Sequence, residues 1–208
     1  MSNRYATVDS SMDLNIIGLD LIDHATALRG HCEHQLSAGV NQPSLCQACH
    51  QGFQARLQKT FAWDETAEAM GNPIIVESGW IGDWANSKIP VDWKNMIWAT
   101  IKATPNLRWL LLSASDEDLS ASLPDDWGNG YDNAALGVRV SNRQHVMGRF
   151  DQLRRIPAQL RFVEFGVPEE SLGKFNTKGF EFYRFDIPDS YRLKNEQRCW
   201  LQKIEKQF

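Results

Sequence analysis

The sequence predicts an α/β fold: an incomplete parallel βα barrel with an irregular cysteine-bearing loop near its start. Three observations predict it. Short apolar runs alternate with amphipathic stretches, the pattern of βαβ units around a parallel sheet. Five or six such runs recur, at a spacing of roughly 30 residues, the length of one βαβ unit. The chain has 208 residues, whereas a full eight-fold barrel takes about 250. An open doubly wound sheet is the alternative with the same alternation.

Each element follows from its local pattern. Residues 1–13 are polar and read as a loose start. "LNIIGLDLI" (14–22) is a short apolar run and reads as a strand. Gly30, Gly39, Asn41 and Pro43 punctuate the next stretch as loop, and the cysteine loop is taken as residues 30–50. From Gln51 to about Trp63, Phe53, Leu57 and Phe61 recur every fourth residue and predict a helix. "NPIIVES" (72–78) is a buried strand. In "PVDWKNMIWATIKATP" (90–105), Pro90 opens a helix, Asp92 is its candidate cap, and Trp93, Ile97 and Ile101 share a face.

"LRWLLLS" (107–113) is the next strand. The acidic "DEDLSASLPDDWGNGYDN" reads as a solvated crossover, with a lid over the barrel mouth as its functional alternative. "AALGVRV" (134–140) is a strand, followed by a helix capped by Ser141 or Asn142 and stopped near Pro157. "LRFVEFG" (160–166) and "FEFYRFDI" (180–187) are strands, and residues 192–208 form a closing helix in which Cys199 packs as an apolar thiol. The whole reads as one domain, with a βα core over 51–173 and a C-terminal strand and helix over 174–208.

Composition excludes several classes. Apolar residues make up 42% and charged residues 23% of the chain, enough to bury an ordinary core. A net charge of −4 argues against a free-standing duplex nucleic-acid binder, although Arg149, Arg154, Arg155 and Arg161 form a candidate basic patch. No apolar run nears the roughly 18–20 residues that cross a bilayer, and the polar start lacks a secretory core. The expectation is a cytoplasmic protein without a membrane partner, whose thiols are reduced.

Against that background one stretch stands out. "HCEHQLSAGVNQPSLCQACHQ" (31–51) holds three of the chain's four cysteines and three of its five histidines. A C-x-x-C pair lets two thiolates reach one metal ion or cluster, and a third cysteine can complete the face. Cys32, Cys46 and Cys49 therefore suit a [4Fe–4S] cluster whose open iron would chelate S-adenosylmethionine. A second reading is a structural zinc site completed by His34 or His50, although only one side of the gap between Cys32 and Cys46 carries a C-x-x-C. "CQACH" (46–50) also matches a covalent haem pattern, which normally needs export. Ordinary loop cysteines are the remaining reading.

Other candidates sit at strand ends. Glu77, Ser78 and Gly79 close an apolar strand, where a carboxylate can hold an ammonium group such as that of S-adenosylmethionine. Arg139 lies inside "GVRV", and a charge in a buried strand must be paired or line a cavity. It can hold a carboxylate or phosphate with its planar fork, or pair with Glu164 or Asp83. Glu164, inside "RFVEFG", is correspondingly a cofactor ligand or that arginine's partner. His145 reads as a partly exposed helix residue.

The ordered series "PIIVESGWIGDW" (73–84), "IPVDWKNMIWATIKATPNLRWLLLS" (89–113), "AALGVRVSNRQ" (134–144), "RFDQLRRIPAQLRFVEFG" (149–166) and "ESLG" (170–173) resembles the phage gene-product 37/68 family, a group of uncharacterised proteins of phages and bacteria regarded as radical-SAM-like. The resemblance runs from about Cys32 to Gly173. It implies a βα barrel preceded by a three-cysteine motif, a [4Fe–4S] cluster on Cys32, Cys46 and Cys49, and S-adenosylmethionine. It also implies a flavodoxin or ferredoxin as electron donor and a nucleotide or nucleic-acid base as substrate, in host cytoplasm.

The chain departs from that pattern at several positions. The family's Leu-Thr-Lys-Arg-Pro is Leu112, Ser113, Ala114, Ser115, Asp116 here, without the basic pair. Its Gly-Val-Ser-Val-Glu-Asn is Gly137, Val138, Arg139, Val140, Ser141, Asn142, with Arg139 new and the glutamate replaced. The later Gly-Gly-Glu-Ser segment is absent. These losses support a second expectation: a non-catalytic, degenerate barrel with zinc or no metal, acting in binding or assembly.

Overall fold

A computed structural model describes residues 5–6, 16–19, 47–78, 85–87, 89–114, 116, 118–188 and 190–208. Seven strands form one sheet in the order β1-β7-β6-β5-β4-β3-β2. They are β1 (Tyr5–Ala6), β2 (Ile16–Leu19), β3 (Ile74–Ser78), β4 (Leu107–Ser113), β5 (Ala134–Val140), β6 (Leu160–Phe165) and β7 (Phe182–Phe185). Strands β2 to β7 are neighbours in chain order and all parallel; β1 pairs antiparallel with the free side of β7. A singly wound parallel order is that of an unclosed barrel, not of a doubly wound sheet, in which the order reverses part-way.

Four helices, α1 (Gln47–Met70), α2 (Val91–Ala103), α3 (Arg143–Arg155) and α4 (Asn195–Glu205), lie among the described residues. None of the described helices is long and apolar enough to cross a membrane. The strand bounds read from the sequence for β4 and β5 match those observed, because both are continuous apolar runs buried on both faces. The loose N-terminal start is partly corrected, since Tyr5 and Ala6 register against Arg184 and Tyr183.

Helix α1 is longer than its apolar periodicity suggested. Steps of four residues drift by about 40° each on a helix of 3.6 residues per turn. Phe53 and Leu57 are accordingly buried, while Phe61 is already exposed. Thr60 and Ala67 continue the buried stripe, so the helix runs on beyond Trp63. It ends where Gly71 adopts φ 65. Gly71 N donates to Glu68 O and Asn72 N to Ala67 O, the paired bonds of a Schellman stop.

The core lies between the sheet and its helices. Trp93, Ile97 and Ile101 of α2 are buried as read, against Trp109 and Leu111 of β4 and Leu136 and Val138 of β5. Asp92 does not cap α2. The cap position is Pro90, without a side-chain bond, and Asp92 stands in the first turn, where its charge suits the helix dipole. Asn142 does cap α3, accepting from His145 N at 2.9 Å.

Residues 118–131 are a crossover that is solvated only in part. Their 3-10 turn, Leu119–Ser122, takes the place of a helix between β4 and β5. Leu119 and Trp127 are buried, and Trp127 Nε1 donates to Pro157 O at 2.6 Å. Cys199 is exposed and not packed. The buried stripe of α4 is Gln197, Leu201 and Ile204, and a residue two positions from Leu201 points about 160° away. The arginine patch also dissolves, because Arg149 is buried and Arg161 donates to Leu153 O and Ile156 O.

Candidate functional site

Strand alternation sends every second residue to the concave face of the sheet, and the register fixes which residues meet there. One row is Leu112, Gly137, Phe162 and Phe182, taken across β4, β5, β6 and β7. The next row on that face, nearer the C-terminal strand ends, is Arg139, Glu164 and Arg184. An apolar floor of Leu110, Leu112, Ala135 and Phe162 therefore lies beneath a layer of charge.

That layer is connected throughout. Arg139 Nη1 donates to Glu164 Oε1 at 2.8 Å, and Arg184 Nη2 to Glu164 Oε2 at 2.5 Å. Arg139 Nη2 reaches Asp186 Oδ2 at 2.8 Å, and Arg184 Nη1 reaches Glu77 Oε1 at 2.6 Å. The last contact measures the curl of the sheet. Glu77 on β3 and Arg184 on β7 stand four strand steps apart, about 19 Å in a flat sheet, beyond the joint reach of the two side chains. Only a half-barrel brings them together.

Burial sets the electrostatics. The Glu164 side chain is 2% exposed and that of Arg184 is 8% exposed. Such charges persist only when paired and hydrogen-bonded, and both Glu164 oxygens are. Burial pushes the Glu164 carboxyl up, and the guanidiniums of Arg184 and Arg139 pull against it. Glu77, Arg139 and Asp186 are each about a fifth to a quarter exposed. They form the face of the cluster that a ligand in the concavity can touch, with carboxylates for a cationic group and a guanidinium for an anionic one.

The floor explains one glycine. A Cβ on Gly137 would lie 2.2 Å from the Phe162 ring, so only glycine lets that ring lie across β5. Phe162 stacks on Phe182 at 5.1 Å, and the Arg184 guanidinium sits 5.5 Å above the Phe162 ring.

A second polar cluster stands at the same strand ends, toward the helices. Arg149 Nε donates to Asp116 Oδ1 at 2.8 Å, and Arg149 Nη1 donates to the Arg139 carbonyl. The Arg149 hydrogen bond to its carboxylate holds Asp116 below the usual carboxylate range. Ser141 Oγ donates to Glu169 Oε1 at 2.9 Å and lies 3.4 Å from His145 Nδ1. Partial burial, with Arg149 close by, keeps the His145 imidazole below its ordinary value.

The sequence candidates divide accordingly. Glu77, Arg139 and Glu164 meet in one network, and Arg139 pairs with Glu164, as one of its two readings had it. Ser78 ends β3, in register with Leu19 and Leu111; its side chain, Gly79 and Asp83 lie outside the described residues. Cys32, His34 and Cys46 do too. The backbone of Cys49 stands in the first turn of α1, so residues 47–50 of the stretch read as a loop are helical. His50 is half-buried, its ring 5.7 Å from that of Trp93. Among the described residues no three histidine, cysteine or acidic side chains are gathered as a metal site.

Sequence reasoning missed Arg184 and Asp186. The signal was present: "FYRFDI" carries a charge inside an aromatic strand, the argument already applied to Arg139.

A family model described as a protein of unknown function, DUF5131, matches residues 24–182. The chain belongs to this family. The matched stretch takes in the cysteine segment, β3 to β6 and the first residue of β7, and leaves Arg184, Asp186 and α4 outside it. No curated protein and no solved structure matches the chain.

Proposed function

We propose that the concave face is the ligand site of a radical S-adenosylmethionine-type enzyme, with Cys32, Cys46 and Cys49 as the ligands of a [4Fe–4S] cluster. One observation carries the reading. The cysteine segment joins the C-terminal end of β2 to the start of α1, and Leu19 at that end is in register with Ser78, next to Glu77. The soft ligands are thus tethered to the strand ends that bear the charged layer, the end where parallel βα barrels do chemistry.

The donor set suits the group: three thiols, two of them in C-x-x-C spacing, leave one iron open. When bound, such a cluster supplies reductive cleavage of the S-adenosylmethionine sulfonium to a 5′-deoxyadenosyl radical. The chain's own residues bind and orient. Glu77 and Asp186 hold a ligand ammonium, Arg139 holds a carboxylate or phosphate, and Glu164 keeps the two guanidiniums compensated. Leu110, Leu112 and Phe162 keep water from the floor. A nucleotide or nucleic-acid base is the proposed substrate and a flavodoxin or ferredoxin the proposed electron donor, both by analogy of family type.

The test is iron and sulfide analysis with a visible spectrum on protein purified without oxygen. About four irons and four sulfides per chain, with absorption near 400 nm that Cys46→Ala abolishes, are expected. One zinc per chain that Cys46→Ser releases, or no metal, would overturn the enzyme reading in favour of a binding or assembly protein.

A further inference from the structure

Helix α3 turns a second surface outward, away from the concave face. A cleft of about 550 Å³ runs between α3 and residues 172–176. Its floor is apolar: Val146, Phe150 and Leu172 are buried there, while Met147 is 75% exposed. An exposed methionine beside a half-buried aromatic, Phe175, is an unusual surface for a water-facing helix, and polarisable methionines suit interfaces that must adapt to a partner.

The rim carries Arg143, Arg154 and Lys174 against two carboxylates: Asp151, which pairs with Arg154 at 3.4 Å, and Glu170, whose Oε1 accepts from Arg143 N at 3.0 Å. The chain as a whole has a net charge of −4, so this excess of positive charge is local. Two of the cations are held in place. Arg143 Nε donates to Ser171 O at 2.8 Å, and Arg154 Nε to Lys178 O at 3.1 Å, with its guanidinium 4.9 Å above the Phe180 ring. Side chains already ordered lose little entropy on engaging a ligand.

From this charge pattern and shape we infer that the cleft docks an acidic amphipathic helix of a partner protein. Arg143 to Arg154 covers three turns of α3, long enough to face the i, i+4 and i+7 residues of such a helix. The partner's apolar stripe covers Met147 and Phe175, and its flanking carboxylates meet the rim. A nucleic-acid backbone would satisfy the cations and leave the apolar floor in water. The inference is independent of the cysteines and of any cofactor.

The test uses the full chain and a fluorescein-labelled designed peptide of about four helical turns, with a leucine stripe flanked by glutamates. Anisotropy should show saturable binding, weakened about tenfold by Met147→Asp and about tenfold by Lys174→Glu. Both side chains are exposed, and circular dichroism confirms that each variant is folded. The same peptide with lysines for glutamates should bind at least about tenfold more weakly.

Equal binding of the two peptides, or affinity indifferent to both substitutions, overturns the inference. So does a concentration-dependent dimer lost in Met147→Asp, which makes the face a contact between copies. Binding to phosphatidylglycerol vesicles without binding to the acidic peptide also overturns it, assigning the cations to lipid headgroups.

Discussion

On its outer face the sheet offers Trp109, Leu111, Leu136, Val138 and Phe165 to the helices. On its concave face the same strands offer Arg139, Glu164 and Arg184 to one another. Apolar burial is non-directional and tolerates small shifts. Charge burial holds only while each carboxylate oxygen keeps its donor. The outer face therefore secures the fold with many interchangeable contacts, whereas the concave face depends on a few that cannot be exchanged. It is also the concave face whose groups remain partly exposed and addressable by a ligand.

The sharpest way to break this contrast is to remove one group from each face. Trp109→Ala should cost about 3–5 kcal/mol as cavity and lost contact, and more if the indole bond to Thr104 Oγ1 counts. Glu164→Ala should cost about 2–3 kcal/mol, because one charged donor of each of Arg139 and Arg184 loses its acceptor while Asp186 and Glu77 remain as their partners. Urea unfolding measures both. A loss below about 1 kcal/mol for Glu164→Ala would mean that the charged layer does not hold the half-barrel together.

Gly137→Ala comes next. Its methyl would collide with the Phe162 ring, at an expected cost of about 1–3 kcal/mol for overpacking. Phe162→Leu in the same chain should recover part of it, and a thermal melt of single and double variants checks this.

Acid–base behaviour sharpens the comparison further. Burial raises the Glu164 carboxyl, so the folded chain binds that proton more tightly than the unfolded chain. Its contribution is most favourable at low pH and declines as pH rises from the ordinary value through the folded one. Asp116 runs the opposite way: Arg149 lowers its carboxyl, so its contribution is present above the ordinary value and lost as pH falls. Across about pH 3 to 7, the stability of Glu164→Gln should rise more steeply with pH than that of the parent, and that of Asp116→Asn less steeply. Parallel curves would contradict both environments.

The smallest effect belongs to Lys102 and Asp126, an ion pair whose side chains are about half exposed. Lys102→Ala should leave the denaturation midpoint nearly unchanged, and any small shift should shrink in high salt, as chemical denaturation at two salt concentrations will show.

Much of the secondary structure was legible because it rests on local periodicity. The face of α2 and the bounds of β4 and β5 were readable in runs of a dozen residues or fewer. The full length of α1 was not, because beyond Trp63 the stretch "DETAEAM" (64–70) buries only Ala67, and a stripe that small leaves little trace in hydropathy. The burial of Leu119 and Trp127 was hidden by their acidic neighbours, since both are isolated in a polar stretch. Within the site, Arg139 and Glu164 stood out as charges in apolar strands. Arg184 and Asp186 carried the same mark in a strand read only for its boundaries.

What the sequence determined by itself was which residues form strands and helices and which face of each is apolar, because both follow from neighbours a few positions apart. The meeting of Glu77 with Arg184, 107 residues later, was decided by tertiary structure alone. It depends on register and twist accumulated over four strand steps, and no local pattern encodes that sum.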